Sequence, residues 1–282
     1  MRGRTEAIIA AVLATGTVLF VWVGAAVVGL VTLRKGINQG LAVLAWALLP
    51  AVVLAVMGDT GPLATLLGVT AAAAILRLTT SWQWALAIAV LSGLVTTVLL
   101  SLFGSEFVAS FVKMVDEAIA EVAKQPGAVD VSALQAVGAG PVVIALLGMG
   151  NTITVTLCLM LARWWQAGLY NPGGFRAEFH QLRLRPAMAV GLIACGAVLS
   201  SIGGDYRVMA LLFALPFVFA GFALVHGLAA RKNISGNWLG LFYVGWLLLD
   251  PLKALLMVLA LADSWLDFRS RLGKTPGGMT GN

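Results

Sequence analysis

A chain of 282 residues that is 60% hydrophobic and only 11% charged is unlike a soluble protein, in which about 45–50% of residues are apolar and about a quarter are charged. Long apolar runs recur from end to end, and alternating strands of about ten residues do not occur, so the pattern favours a helical membrane protein over a β-barrel. The net charge of +6 is spread over short loops without a basic run. Membrane lipids are therefore the expected contacts, and nucleic-acid binding is not expected.

The predicted fold class is all-α: a polytopic transmembrane helical bundle of about eight spans (seven to nine), with one amphipathic interfacial helix. Residues 1–272 form a single domain in this prediction, and the Gly/Thr-rich tail 273–282 is expected to be disordered. The first apolar run, Ala7–Leu33, exceeds the length of about 7–15 residues of a signal-peptide core, so we expect it to be retained. It is either one tilted helix or a hairpin broken near Phe20–Gly24. Length favours the single helix, whereas the distribution of Lys and Arg between the two sides favours the hairpin.

The remaining spans follow in chain order. The predicted ranges are Ile37–Met57 with a kink at Pro50, Leu63–Ile75, Trp82–Phe103, Pro141–Ala162, Pro186–Ile202, Val208–Leu228 and Trp238–Leu261. Between the third and fourth of these, apolar and charged side chains segregate at helical periodicity over Ser105–Lys124. This pattern predicts the amphipathic helix, which Pro126 and Gly127 would end. The two cysteines, Cys158 and Cys195, lie in apolar runs and are predicted to be buried free thiols, without a metal or cofactor.

A polar stretch, residues 163–186, interrupts this pattern with four arginines. The excess of positive charge predicts a cytoplasmic loop. Asn171-Pro-Gly-Gly predicts a turn, followed after Gly174 by a short surface helix that carries Glu178, Arg183 and Arg185. Asp263 and Asp267 lie four residues apart at the end of the last helix. If that helix ends on the cytoplasmic side, they can pair with the loop arginines. The residues assigned to this contact are Glu178, Arg183, Arg185, Asp263, Asp267 and Arg269.

Four polar residues within apolar runs are candidates for a ligand site, because charges at membrane depth are costly. Asp250, followed by Pro251, can begin a half-helix and pair with Lys253, as in the broken helices of transporters; the alternative is a structural break. Asn151 follows two glycines and either lines a cavity or bonds a neighbouring helix. His226, close to a helix end, either contacts a ligand or packs at the interface.

Three segments together resemble the YybS-type family of predicted bacterial membrane proteins. They are Leu169-Tyr-Asn-Pro-Gly-Gly-Phe175 with the residues up to Arg183, Ala220–His226, and Ala262–Arg269. The resemblance covers most of the chain and implies the bacterial inner membrane, but the family has no established activity that can be carried over. Its helix pattern is loosely similar to that of the S components of energy-coupling-factor transporters, an architectural likeness that does not define a function.

The sequence leads to two hypotheses for function. The first is a small-solute binding or transport subunit, S-component-like, whose site lies near Asn151, His226, Asp250 and Lys253 and which has transporter subunits as partners. The alternative is a scaffolding membrane protein that docks a cytoplasmic partner through the 163–186 loop and the C-terminal helix. No common catalytic motif occurs, so an enzyme, for example one acting on lipids, is the least favoured class.

Overall fold

The structure, a computed structural model, describes residues 3–124, 138–203 and 206–272. These residues are helical almost throughout, and no strand occurs among them. The predicted tail 273–282 and the helix stop at Pro126 and Gly127 lie outside the described residues. The helices are α1 Arg4–Gly16, α2 Val21–Lys35, α3 Ile37–Val56, α4 Gly61–Thr79, α5 Trp82–Phe103, α6 Ser105–Ala123, α7 Ala139–Tyr170, α8 Gly174–Gln181, α9 Pro186–Ile202, α10 Tyr206–Met209, α11 Leu215–Arg231, α12 Gly236–Leu248, α13 Asp250–Leu266 and α14 Phe268–Leu272.

Five helical segments of the described chain are long and apolar enough to cross a bilayer: α3, α4, α5, α7 and the continuous segment Tyr206–Arg231, in which a 3₁₀ turn joins α10 to α11. Two bent pairs raise the number to seven if each counts as one span: α8 with α9, bent by 66°, and α12 with α13, bent by 112°. A multi-pass helical membrane protein is therefore confirmed, whereas a total of about eight spans is not.

The first apolar run is a hairpin rather than the single helix that its length suggested. The chain leaves α1 at Thr17, passes through the 3₁₀ turn Val18–Phe20 and returns as α2. The hydroxyl of Thr17 donates to the carbonyl of Ala14, a local bond that competes with helix continuation. The arms pack closely, because a Cβ on Gly24 would lie 2.5 Å from Oγ1 of Thr15.

The centre of the bundle is closely packed because small residues line its helix contacts. Helices α5 and α7 meet at Gly93 and Gly148. A Cβ on Gly93 would lie 2.0 Å from Oγ1 of Thr152, and one on Gly148 would lie 2.4 Å from Cγ2 of Thr97. One continuous core of buried side chains runs from α1 to α13.

The predicted amphipathic helix is present as α6. Its apolar side packs through Val108 against Leu100 of α5 and Val143 of α7, and the rings of Phe107 and Phe111 lie 5.0 Å apart beside this contact. Val108 is its only buried residue, so α6 covers the end of the bundle without entering it.

The prediction that the polar stretch is a loop from Arg163 onward was wrong for its first third, because α7 continues through it to Tyr170. Before Asn171 and Pro172 only Gly168 disfavours a helix, at about 1 kcal/mol relative to alanine, and the charge of Arg163 is neutralised by Glu178. The prediction of two buried thiols was wrong for Cys195. Cys158 is 3% exposed, but α9 buries only two residues, Ala189 and Leu192, and Cys195 lies on its outward side.

Candidate functional site

The connection from α8 to α9 is an extended segment that ties the polar stretch to the bundle. The helix ends at Gln181, so the prediction that Arg183 and Arg185 lie on it was wrong. Arg185 precedes Pro186, whose ring disfavours helical geometry in the residue before it. Side chains alternate along the segment as in a strand: Leu182 and Leu184 are buried, whereas Arg183 is half-buried and Arg185 is exposed.

A buried ion pair at the C-terminus holds this segment in place. Nη1 of Arg269 lies 2.7 Å from Oδ2 of Asp263, and the side chains are only 6% and 3% exposed. Nη2 of Arg269 donates to the carbonyl of Leu182 at 2.9 Å, and Oδ1 of Asp263 accepts from the backbone N–H of Phe268. Arg231 of α11 donates to the carbonyl of Arg269. The polar connection, α11 and the C-terminus are therefore joined by one charged cluster.

A second ion pair joins the same segments nearer the solvent. Nη1 of Arg183 lies 2.8 Å from Oδ2 of Asp267, and both side chains are partly exposed. Partial burial raises the pKa of Asp267, but the charge of Arg183 and hydrogen bonds from Arg183 and Ser270 outweigh it and hold the pKa below its ordinary value. The structure thus brings together Arg183, Asp263, Asp267 and Arg269. Glu178 pairs with Arg163 instead, and the backbone N–H of Arg185 donates to Oε1 of Gln83 at 3.0 Å.

Beside this cluster a cleft of about 910 Å³ opens between the ends of α7 and α11, the short helix α8 and the start of α12. Its walls are mainly apolar and aromatic, with Trp164, Phe175 and Phe179 among them. The polar side chains that reach it are Arg176, His180, His226 and Tyr243. Both histidines of the chain therefore lie in one cleft, next to an exposed arginine.

The two histidines have different partners in the cleft. Nε2 of His226 lies 2.7 Å from the hydroxyl of Tyr243, which orients the imidazole across the cleft. The centroid of the His180 ring lies 6.4 Å from that of His226. The centroid of the Phe179 ring lies 5.7 Å from that of His226, and these two rings are in a T-shaped arrangement. This arrangement offers donors and acceptors for a polar group, next to aromatic surface for an apolar one.

The other residues predicted to contact a ligand lie elsewhere. Asn151 is 6% exposed between α4, α5 and α7, where its side-chain oxygen accepts from Thr65 at 2.6 Å and its amide nitrogen donates to Ser92 at 2.9 Å. Asp250 begins α13 and pairs with Lys253 at 2.7 Å, but the aspartate side chain is 90% exposed. The structure therefore does not bring His226 together with Asn151, Asp250 or Lys253.

Arg176, His180 and Tyr243 are not among the residues predicted to contact a ligand. Tyr243 lies in an apolar run that has no polar pattern. What joins them is the packing of both α8 and α12 against α11, which no local spacing encodes. The clustering of aromatic residues around Trp164 and Phe175 is the one signal in the sequence that points to this part of the chain.

Neither a family model, nor a curated protein, nor a solved structure matches this chain. The resemblance to the YybS-type family stays a prediction, and the geometry of the cleft carries the functional argument.

Proposed function

We propose that this protein is a binding subunit of the bacterial inner membrane that holds a small amphipathic solute in the cleft between α7, α8, α11 and α12. The observation that carries the proposal is the convergence of Arg176, both histidines and Tyr243 on an otherwise apolar cavity of about 910 Å³. Small-molecule sites have this character: about 300–1,000 Å³ of mainly apolar wall with a few placed polar groups.

The lining indicates the chemical class of the solute. Arg176 supplies a permanent positive charge, and its planar group binds carboxylates and phosphates with two parallel hydrogen bonds. Trp164, Phe175 and Phe179 supply flat apolar surface. An aromatic or apolar body that carries one carboxylate or phosphate fits both features.

The proposal keeps the predicted functional class, a small-solute binding subunit, but places the site elsewhere. His226 is the one residue that the proposed site shares with the site predicted from the sequence. Asn151 already uses both ends of its amide in helix packing, and Asp250 faces outward beside Lys253.

In this proposal the cleft faces the cytoplasm, because the polar stretch that forms one wall carries four arginines. The α1–α2 hairpin is re-entrant, since arms of 13 and 15 residues span only about 20–22 Å of a hydrocarbon core of about 30 Å. The bent pair α12–α13 is re-entrant as well, since the start of α12 lines the cleft and the residues at the end of α13 bind the polar stretch on the same side. With α8 and α9 counted as one span, six crossings remain in this proposal, and transporter subunits would be the partners.

The scaffolding alternative depends on the 163–186 stretch and the C-terminal helix being available to a partner. Their main charged groups are occupied by each other, in the pairs Arg183–Asp267 and Arg269–Asp263. This leaves Arg176 and Arg185 as the exposed charges of the stretch, and Arg176 lines the cleft. The binding hypothesis therefore accounts for more of the arrangement.

The proposal is tested by a thermal-stability screen of purified protein against aromatic carboxylates and phosphates, each paired with its uncharged amide or ester. A ligand at about 100 times its Kd stabilises the folded state by about 2.7 kcal/mol. We expect charged members to raise the unfolding midpoint of the wild type and of the control Arg271→Gln, which is exposed on α14 and does not line the cleft. Arg176→Gln should lose the preference for the charged member. Stabilisation by no compound, or an unchanged preference in Arg176→Gln, would contradict the proposal.

A further inference from the structure

A second cavity lies on the outer surface of the bundle, away from the cleft. It is a groove of about 660 Å³ between α5 and α9, and it shares no lining residue with the cleft. Leu91 and Leu94 of α5 form one wall, Gly191 and Leu192 of α9 form the other, and Phe213 closes the back. Neighbouring apolar side chains such as Val190 and Ile193 are about half exposed, so this surface faces lipid in a membrane-embedded protein.

Polar groups occur at one end of this groove, where α5 and α9 begin. Arg185 and Gln83 line that end together with Trp84, which is 51% exposed. Oε1 of Gln83 accepts from the backbone N–H of Arg185 at 3.0 Å, so the side-chain NH₂ of Gln83 remains as a donor. Within residues 3–124, 138–203 and 206–272, Arg185 forms no ion pair. The groove therefore has a cationic mouth and an apolar body.

The dimensions of the groove match one leaflet of a bilayer. From Gln83 to Leu94, α5 rises by eleven residues, or about 16 Å at 1.5 Å per residue. Half of a hydrocarbon core of about 30 Å is about 15 Å. Trp84 at the mouth is the residue type that lies at headgroup level.

We propose that this groove binds one acyl chain of an anionic phospholipid, with the lipid phosphate held by Arg185 and Gln83. Charge complementarity selects an anionic lipid, because Arg185 at the mouth has no carboxylate partner in the part of the chain that the structure describes and basic sites between membrane helices bind anionic headgroups. The apolar body selects a lipid over free phosphate, which would leave the groove walls uncovered.

Two substitutions probe the mouth and the body of the groove separately. Arg185→Gln removes the charge and keeps the backbone bond to Gln83. Gly191→Leu fills the groove without a clash, since a Cβ at this position meets nothing within 4 Å. The matched controls are Arg271→Gln, and Gly150→Leu on α7, where a Cβ also meets nothing within 4 Å. Neither control residue lines the groove.

The experiment reconstitutes each variant in nanodiscs of phosphatidylcholine and phosphatidylglycerol and counts retained lipids by native mass spectrometry. We expect the wild type and both controls to retain one phosphatidylglycerol per chain. Arg185→Gln should lose about tenfold in preference over phosphatidylcholine, a typical value for a charged hydrogen bond. Gly191→Leu should retain neither lipid.

Cys195 gives an independent readout, because its exposed thiol lines the groove while Cys158 is buried. Phosphatidylglycerol should slow its reaction with N-ethylmaleimide in the wild type but not in Arg185→Gln. Equal retention of the two lipids by the wild type, or unchanged retention in Gly191→Leu, would overturn the proposal. So would a dimer that Gly191→Leu dissociates, since the groove would then be a contact between two copies of the chain.

Discussion

Replacing Asp263 with asparagine keeps the shape of the side chain and removes one charge from the most buried ion pair described in this chain. The partner, Arg269, is 5% exposed, and burial lowers the pKa of its guanidinium while the carboxylates of Asp263 and Asp267 raise it. An arginine guanidinium is not deprotonated in proteins, so Arg269 stays charged at neutral pH. Removing one partner of a buried pair costs about 3–5 kcal/mol, since the remaining charge is buried without its paired carboxylate.

The matched control is Asp267→Asn, in which the same chemical change affects the exposed pair with Arg183. Those side chains are 28% exposed for the arginine and 41% for the aspartate, and pairs of this kind contribute about 0–1 kcal/mol. The two substitutions are four residues apart and remove the same charge. The expected difference between them is therefore due to burial.

The assay is thermal unfolding in detergent, followed by reaction of a fluorescent maleimide with Cys158, which is 3% exposed when folded. A Cys195→Ser background removes the exposed thiol. Asp263→Asn should lower the unfolding midpoint by on the order of 10 °C, and Asp267→Asn by a few degrees at most. Equal midpoints for the two variants, or an Asp263→Asn midpoint close to that of the wild type, would refute the reasoning.

Two further predictions use the same assay. Exchanging the charges of Arg183 and Asp267 should restore part of the stability that each single reversal removes, and a lack of mutual rescue at neutral pH would show that the pair is not coupled. The folded-state pKa of Asp267 is lowered, so the contribution of this pair to stability is complete above the ordinary aspartate pKa of about 4. It is lost as the pH falls through the lower, folded-state pKa. Asn151→Ala should destabilise the protein by roughly 1–2 kcal/mol through the loss of its bonds to Thr65 and Ser92, without changing binding in the cleft; weaker binding would return Asn151 to the site.

Most helix positions were predictable because strong local signals define them. Trp82–Phe103 was predicted with the bounds that the structure has, since apolar residues fill it and Gly104 follows. Pro186 begins α9 as proline does at the first turn of a helix. The errors occurred where local signals conflict: the charge of Arg163 suggested a loop, but a partner fifteen residues away neutralises it within the helix.

The site was harder to predict because it depends on tertiary packing. The sequence indicated that the arginines of the polar stretch and the C-terminal aspartates could meet if the last span ends on the cytoplasmic side, because their charges are opposite. It did not indicate the cleft, because His180 and His226 belong to different elements that meet only when α8 folds against α11. Asn151 shows the reverse case: a polar residue in an apolar run suggested a ligand, and the neighbouring helices use it for hydrogen bonds.

The most direct test of the central claim is the affinity of the best stabilising compound for a protein whose cleft has been filled. Gly168 of α7 lines the cleft, and a Cβ there meets nothing within 4 Å, so Gly168→Leu adds volume to the cleft without disturbing the packing. Gly150→Leu makes the same change on the same helix outside the cleft. Equilibrium dialysis should show at least tenfold weaker binding for Gly168→Leu and wild-type affinity for Gly150→Leu. Wild-type affinity in Gly168→Leu would contradict the account.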